Sequence, residues 1–291
     1  MATETGGDGV LVLGATSLVG RFLLPRLAGA KVAALSRAPP EKSHPGVSWL
    51  TGDLTDPDLP ARLPRAATVY SLMPIWLIPP VLPVLQAKGV TRLVAFSSTS
   101  RFTKEESPEP SERAVARRLA AGEAATVAAC EAAGVGWTIL RPTLIYAEGR
   151  DGNVSRLARL IARFGVLPLA GQGEGLRQPV HADDLAKGAL AAAASEAARD
   201  KAYDLPGGET LSYRDMAGRV FEALGKRPRL VAVPPMVWKL GLGLAAPLLP
   251  GATAAMGSRM AEDLVFDPAP AARDFGWAPR PFRPDFDGVE L

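Results

Sequence analysis

Short apolar runs alternate with helical repeats through the first half of the chain. Residues 10–13 are all apolar and precede a glycine, which is typical of a strand buried on both faces of a parallel sheet. Apolar residues then recur at helical spacing up to residue 27. The same reasoning predicts further strands at residues 31–35, 47–50, 68–72, 92–100 and 137–142, and an alanine-rich helix at residues 113–133. Strands joined by helical crossovers predict an α/β fold with a doubly wound parallel sheet.

The pattern loosens after residue 145. An amphipathic helix is predicted at residues 154–164, and residues 178–186 start another helix. We therefore expect a sheet domain of residues 1–145, to which residues 178–200 return. Residues 146–177 and 201–291 are expected to form a smaller, discontinuous C-terminal substrate lobe.

The first strand, turn and helix predict a phosphate site. Backbone N–H groups at the start of a helix have no partner within it, and together with the helix dipole they favour a pyrophosphate. Gly14 permits the tight turn, and Gly20 permits a close approach of the helix to the strand. Ligands of open α/β sheets bind beyond the carboxyl ends of the strands, where hydroxyl side chains at residues 97–100 follow the fifth strand.

Composition narrows the class of partner. The net charge is +3, and 33 Lys and Arg residues are dispersed among 30 Asp and Glu residues, so a nucleic-acid partner is not expected. The single cysteine, Cys130, excludes an internal disulfide and is interpreted as a buried helix thiol in a reducing compartment. The polar, glycine-rich start contains no secretory signal, which favours a cytoplasmic protein.

Few side chains are suited to metal binding. The chain has two histidines and one cysteine without clustered ligands, so no metal site is predicted. His181 is interpreted as a packed or hydrogen-bonded histidine rather than a base. Asp183 or Asp184 is interpreted as a helix cap rather than a catalytic acid.

Two long uncharged stretches raise the question of a membrane. Residues 66–87 and 240–258 are both interrupted by prolines or glycines, so neither predicts a spanning helix. Residues 240–256, with Leu240 and Met256 at the ends, predict an apolar surface that covers a cleft or contacts a partner or a membrane surface. The sequence leaves both a monomer and a homodimer open.

Several motifs resemble those of one family. Residues 14–20 read GATSLVG, which is similar to the Gly-x-x-Gly-x-x-Gly turn of the extended and atypical short-chain dehydrogenase/reductases. Ser17 replaces the middle glycine, and it adds a hydroxyl that can donate to a phosphate. Residues 140–146 (LRPTLIY) resemble the Leu-Arg-Pro…Tyr segment of extended members, and residues 178–186 and 274–280 resemble later segments. The resemblance implies a Rossmann fold that binds NAD or NADP and a small-molecule substrate.

The end of the second strand bears on the choice of cofactor. NAD-selective sites carry an acidic residue there, but this chain has Arg37. Together with Arg21 it favours NADP over NAD, and the alternative is that both arginines are solvated. The resemblance to a Gly-Asp-Leu turn implies that Asp53 lies near the adenine, whereas alone it predicts a turn or cap residue. The predicted cofactor-binding residues are Gly14, Thr16, Ser17, Leu18, Val19, Gly20, Arg21, Ser36, Arg37, Asp53, Leu54, Leu72, Met73, Pro74, Ser97, Arg141 and Pro142.

The family's catalytic residues are only partly present. In active members a Ser or Thr at the end of the fifth strand acts with a Tyr-x-x-x-Lys pair on the next helix. Thr99, with Ser98 beside it, matches the hydroxyl position. Val115 and Leu119 stand where the tyrosine and the lysine are expected, and neither can transfer a proton.

The missing pair leaves two classes of function open. The first is an NADP(H)-dependent oxidoreductase or epimerase on a small organic substrate. It would take its proton from Thr99 through a water, from Lys104, from Tyr146 or from the substrate itself. The alternative is a non-catalytic dinucleotide-binding sensor or assembly protein, because the fold alone does not choose between them.

Overall fold

A computed structural model describes residues 9–40, 45–234 and 260–291. Elements are numbered in chain order over those residues. The strands are β1 (Val10–Leu13), β2 (Val32–Ser36), β3 (Val47–Thr51), β4 (Thr68–Ser71), β5 (Arg92–Phe96), β6 (Gly136–Pro142), β7 (Ile145–Tyr146), β8 (Leu167–Ala170), β9 (Leu176–Arg177), β10 (Val180–His181), β11 (Lys201–Leu205), β12 (Leu211–Ser212) and β13 (Leu230–Val233). The helices are α1 (Leu18–Arg26), α2 (Leu59–Arg62), α3 (Leu82–Ala87), α4 (Ser100–Thr103), α5 (Pro110–Ala133), α6 (Val154–Phe164), α7 (Ala182–Ala194), α8 (Tyr213–Ala223) and α9 (Ala269–Phe275).

Seven strands form one parallel sheet in the order β11-β6-β5-β4-β1-β2-β3. The chain winds outward from β1 to β3, returns to β4 beside β1, and then winds outward in the opposite direction. The predicted doubly wound parallel sheet is therefore confirmed, and its switch point lies between β1 and β4.

The sheet is buried on both faces because its strands are apolar at successive positions. Val12 of β1 faces a core that includes Leu23 of α1 and Leu185 of α7. Leu11, the preceding residue, faces the opposite core, which includes Leu119 of α5. Because helices cover both faces of the sheet, successive residues of β1 are buried, and its apolar run is therefore uninterrupted.

The smaller lobe has its own core. Helix α6 matches the predicted range of residues 154–164, and it packs against α8. Ser212 caps the start of α8, since its hydroxyl accepts a hydrogen bond from the Asp215 amide at 3.0 Å. Leu169, Phe221 and Phe282 are among the residues fully buried between these elements.

The predicted boundary at residue 201 is wrong. Strand β11 pairs in parallel with β6 and forms the outer strand of the main sheet. Helix α9 and Trp277 also pack into the core of the sheet, where the Trp277 indole donates to the Pro206 carbonyl at 3.1 Å. The sheet unit therefore takes residues from the C-terminal part of the chain that the sequence assigned to the lobe.

Ion pairs join the C-terminal segment to α7. The Arg280 guanidinium donates to Asp184 at 2.8 and 2.9 Å and to Asp183 at 2.5 Å. His181, rather than either aspartate, caps the helix, because its Nδ1 accepts from the Asp183 amide. Its Nε2 lies 3.0 Å from Glu148, so the prediction of a hydrogen-bonded histidine is confirmed.

The predictions for the cysteine and for the uncharged stretches can also be compared with the structure. Cys130 is buried as predicted, and burial raises the pKa of its thiol to about 12. Over the described ranges, the structure contains no helix with the length and apolar character needed to cross a membrane. The apolar residues 240–256 lie outside those ranges.

Candidate functional site

The carboxyl ends of the parallel strands bring the predicted site residues to one edge of the sheet. The glycine turn follows β1, Ser36 and Arg37 end β2, and residues 72–74 follow β4. The hydroxyl residues 97–99 follow β5. Open α/β sheets bind their ligands at this edge.

The glycine turn has the geometry of a pyrophosphate site. Gly14 has a φ of +73°, and a Cβ there would lie 2.8 Å from Met73 Cγ. A Cβ on Gly20 would lie 2.1 Å from the Ala15 carbonyl oxygen, so only glycine permits this approach. The first turn of α1 contains no acidic residue, and its first backbone hydrogen bond is donated by Arg21 to the Ser17 carbonyl. The amides of Leu18 and Val19, at the first two positions of α1, and the positive end of the helix dipole fit a diphosphate.

Ser17 takes a structural role that the sequence did not assign. Its hydroxyl oxygen caps α1 by accepting from the Gly20 amide at 3.2 Å. The hydroxyl proton remains to donate outward. The replacement of the middle glycine is therefore compatible with phosphate binding.

Hydroxyl groups meet at the end of β2. The Thr16 and Ser36 hydroxyl oxygens lie 2.9 Å apart, and Arg37 is exposed beside them. Asp53 accepts from the Thr55 amide and hydroxyl, and these bonds, with the charge of Arg37, lower the pKa of its carboxyl. Asp53 thus has the predicted turn role, and its carboxylate follows β3 rather than β2.

A buried ion cluster fixes the end of β5. Glu123 of α5 is only 3% exposed, and it accepts from the Ser97 hydroxyl at 2.6 Å and from Arg141 at 2.7–3.1 Å. Arg101 also pairs with Glu123, and Asp204 lies 3.6 Å from Arg141. The side chains of Ser97 and Arg141, both predicted to bind cofactor, are thus committed to this cluster.

The two predicted catalytic hydroxyls differ in their surroundings. The Thr99 hydroxyl is buried and donates to the Pro142 carbonyl at 3.1 Å. The Ser98 hydroxyl is half-buried and accepts from the Ser100 amide at 3.1 Å, which leaves its proton available to a ligand. Pro142 therefore contributes a carbonyl that holds Thr99 in place.

The structure also locates the two positions where the family pair is missing. Val115 is 40% exposed, whereas Leu119 is buried in the core behind the sheet. Tyr146, one of the alternative proton donors, is enclosed by His181 and Phe282, and burial raises the pKa of its phenol. The phenol of Tyr146 does not reach the cavity described next.

A cavity of about 660 Å³ lies between the sheet edge and the lobe. Leu18 of α1, Ser98, Thr99 and Lys104 line its sheet side. Apolar side chains of the lobe and the C-terminal segment line the rest, among them Leu157, Leu160, Met216, Met260, Leu264 and Phe266. The cavity joins the opening of the first helix to the hydroxyl cluster, as a site for a cofactor and a substrate requires.

Sequence reasoning missed the charged and phenolic residues on the lobe side. Arg156, Arg177 and Tyr213 line the cavity, and burial raises the pKa of the Tyr213 phenol. Arg177 lies 5.7 Å from the centre of the Tyr213 ring. No local motif marks them, because α6, β9 and α8 meet only in the folded lobe.

The sequence does contain an indication that Glu123 is buried beside a partner. It shares the buried face of α5 with Leu119, Thr126 and Cys130, at helical spacing. A carboxylate on the apolar face of a helix indicates a buried partner. Within the described part of the chain, no three His, Cys, Asp or Glu side chains are placed to hold a metal ion.

Comparisons with known proteins agree with this geometry. Residues 80–205 match the model of the NAD dependent epimerase/dehydratase family. A 2-alkyl-3-oxoalkanoate reductase of Stenotrophomonas maltophilia is 28% identical, over 93% of this chain and 94% of the relative.

Two solved structures show the shared fold. An epimerase of Methanothermobacter thermautotrophicus superposes with a TM-score of 0.73 at 20% identity, covering 95% of this chain and 89% of that chain. The Bordetella bronchiseptica enzyme WbmH, solved with NAD+, has a TM-score of 0.68 at 16% identity, covering 93% and 92%. The resemblance indicated by the motifs is therefore confirmed: the chain is similar to extended short-chain dehydrogenase/reductases in fold, and residues 80–205 match an epimerase/dehydratase family model.

Proposed function

We propose that this protein is an NAD(P)-dependent oxidoreductase that interconverts a carbonyl group and a secondary alcohol on an apolar, carboxylate-bearing small molecule. One observation carries the proposal: the first residue of α1, Leu18, and the hydroxyl residues Ser98 and Thr99 line the same cavity. A bound nicotinamide dinucleotide supplies or accepts the hydride. The glycine turn would hold its diphosphate, and Ser98 would orient the reacting oxygen.

The lining of the cavity supports the class of substrate. Leucine, methionine and phenylalanine side chains cover the lobe side, and they favour an alkyl body over a sugar. Arg156 and Arg177 line the same cavity and place positive charge near a bound carboxylate, although Arg177 also donates to the Leu176 and Glu262 carbonyls. An alkyl-substituted 3-oxo acid, as in the name of the Stenotrophomonas relative, combines both features.

NADP is the proposed form of the cofactor. Ser36 and Arg37 occupy the end of β2, where an acidic residue would repel a 2′-phosphate. The Thr16 and Ser36 hydroxyls add two further hydrogen-bonding groups beside Arg37. The solved relative WbmH binds NAD+, so the choice depends on Arg37 in this chain.

Calorimetric titration of Arg37→Asp tests the cofactor. We expect the affinity for NADPH to fall by about tenfold or more, because a charge-assisted hydrogen bond is worth about 1.5–3 kcal/mol. The affinity for NADH should change little. Equal losses for both would refute the assignment, and Arg62→Asp, at an exposed arginine that ends α2, is the charge-matched control.

Turnover tests the activity. Purified protein is offered NADP+ or NAD+ with 2-butyl-3-hydroxyoctanoate, and nicotinamide absorbance is followed. The alternative, a binding protein without turnover, is favoured by Val115 and Leu119 at the family's catalytic positions. Tight dinucleotide binding with no turnover of 3-hydroxy acids, 3-oxo acids or nucleotide sugars would support the alternative.

A further inference from the structure

The geometry points to Lys104 as the residue that exchanges a proton with the reacting oxygen, in place of the family's tyrosine. This inference rests on the proposed function. Lys104 follows α4 directly, and its backbone amide donates to the Ser100 carbonyl at 3.2 Å. Its side chain lines the cavity together with Ser98, Thr99 and Ser100.

The other phenols of the chain are held elsewhere. Tyr70 is buried in β4, and Tyr146 is enclosed in the core of the lobe. Tyr203 lies in the outer strand β11, where its hydroxyl donates to Asp274 at 2.6 Å. Tyr213 alone among the four tyrosines of the chain lines the cavity, but it does so from α8 of the lobe, beside Arg177.

The expected position of the reacting oxygen favours Lys104 over Tyr213 as the proton donor. A hydroxyl at the end of β5 orients that oxygen in this family, and Ser98 has its proton free for the task. A proton donor must come within about 3 Å of the same oxygen. Lys104 directly follows α4, the short helix that Thr99 precedes, so it belongs to the same segment as the two hydroxyls, whereas Tyr213 lines the cavity from α8 of the lobe.

Glu112 positions the ammonium group. The Lys104 Nζ lies 3.4 Å from Glu112 Oε1, and the other oxygen of that carboxylate accepts from the Ser107 hydroxyl at 2.7 Å. The two side chains are 27% and 16% exposed, so the pair sits at the rim of the cavity with access to water. The carboxylate holds the lysine side chain at this place, and the nearby solvent can return a proton after each turnover.

The proton transfer accompanies a hydride transfer. In the direction of reduction, the carbonyl carbon of the substrate gains a hydride and its oxygen gains a proton from the Lys104 ammonium, giving a secondary alcohol. The reduced nicotinamide dinucleotide is the two-electron donor and is oxidised. The neutral amine then takes a proton from water, and in the direction of oxidation the same amine removes the hydroxyl proton.

Alanine substitution with amine rescue tests the role. Lys104→Ala should lower the rate of 2-butyl-3-hydroxyoctanoate oxidation by about 10²- to 10⁴-fold, which is the usual contribution of an acid–base group. Added ethylamine should restore part of the rate, whereas tetramethylammonium, which carries no transferable proton, should not. Lys31→Ala, at the opposite edge of the sheet, is the matched control, and thermal melts show whether each variant folds.

A second readout does not depend on turnover. Lysines are reductively methylated with ¹³C, and the Lys104 signal is identified by its loss in Lys104→Ala. We expect that signal, and not the Lys31 signal, to shift when 2-butyl-3-hydroxyoctanoate binds in the presence of NADPH. Binding shown by calorimetry without a shift of the Lys104 signal would overturn the assignment.

The outcomes separate this inference from the proposed function. Wild-type protein that turns over no carbonyl or alcohol substrate overturns the proposed function and the role of Lys104 with it. Wild-type turnover that survives in Lys104→Ala, or is lost in Tyr213→Phe while Lys104→Ala retains it, overturns the role of Lys104 alone. Loss in Lys104→Ala with rescue by ethylamine and normal turnover in Tyr213→Phe supports it.

Discussion

Removing the carboxylate of Glu123 should destabilise the protein strongly. Glu123→Ala leaves the Arg141 guanidinium in a largely buried position without its principal counterion. Breaking one side of a buried ion pair costs about 3–5 kcal/mol. We expect the lower end, about 3 kcal/mol, because Asp204 lies 3.6 Å from Arg141 and Arg101 is about a quarter exposed and can regain water.

Urea unfolding measures this loss, and a matched pair of variants isolates its cause. A loss of about 3 kcal/mol corresponds to a fall in melting temperature of roughly 5 °C for a chain of this size. Glu123→Gln should cost about 2 kcal/mol, since the amide still accepts from Ser97 but loses the charge-assisted bonds. Glu131→Gln, exposed on the same helix, should change stability by less than about 0.5 kcal/mol.

A small effect would refute the reasoning. If Glu123→Ala unfolds at the same urea midpoint as the wild type with an unchanged m-value, the cluster does not hold the end of β5. Ser97 and the cavity hydroxyls that follow it would then need another explanation for their positions.

Two further predictions concern a glycine and an aspartate. Gly20→Ala should cost about 3 kcal/mol or more and abolish dinucleotide binding, because its Cβ would lie 2.1 Å from a backbone oxygen. Gly218→Ala, in α8 with open space around it, should instead gain about 0.5–1 kcal/mol, and equal melting temperatures for the two variants would contradict this. Hydrogen bonds from Tyr203 and Lys201 lower the pKa of Asp274 to about 2, so its contribution is complete above about pH 4 and is lost as the pH falls toward 2. The stability difference between wild type and Asp274→Asn should shrink over that range, and a difference independent of pH would contradict the assignment.

The sequence predicted the parts of the fold that depend on local pattern. Residues 10–13 and 154–164 have the periodicities of a buried strand and an amphipathic helix, and both elements have the predicted ranges. Strand β11 was placed in the wrong unit because Lys201 and Asp204 interrupt its apolar residues, as suits a strand at the edge of a sheet.

The candidate site was predicted only where a motif carries it. The glycine turn at residues 14–20 and the hydroxyl residues 97–100 are each a short continuous segment, so the spacing within each segment identifies it in the sequence. The Glu123 cluster and the wall formed by Arg177 and Tyr213 join residues far apart in the chain, and only tertiary packing brings such groups together.

The C-terminal segment makes the two units interdependent. The chain leaves the sheet unit to build the lobe and then returns, with Trp277 filling the space that Gly188 leaves on α7. A fragment that ends at residue 205 would therefore expose a core of the sheet and also lose α8 and the C-terminal residues that complete the core of the lobe. The lobe therefore cannot be removed as a separate module. Sequence changes that alter the lining of the cavity have to preserve the contacts of the C-terminal segment with α7.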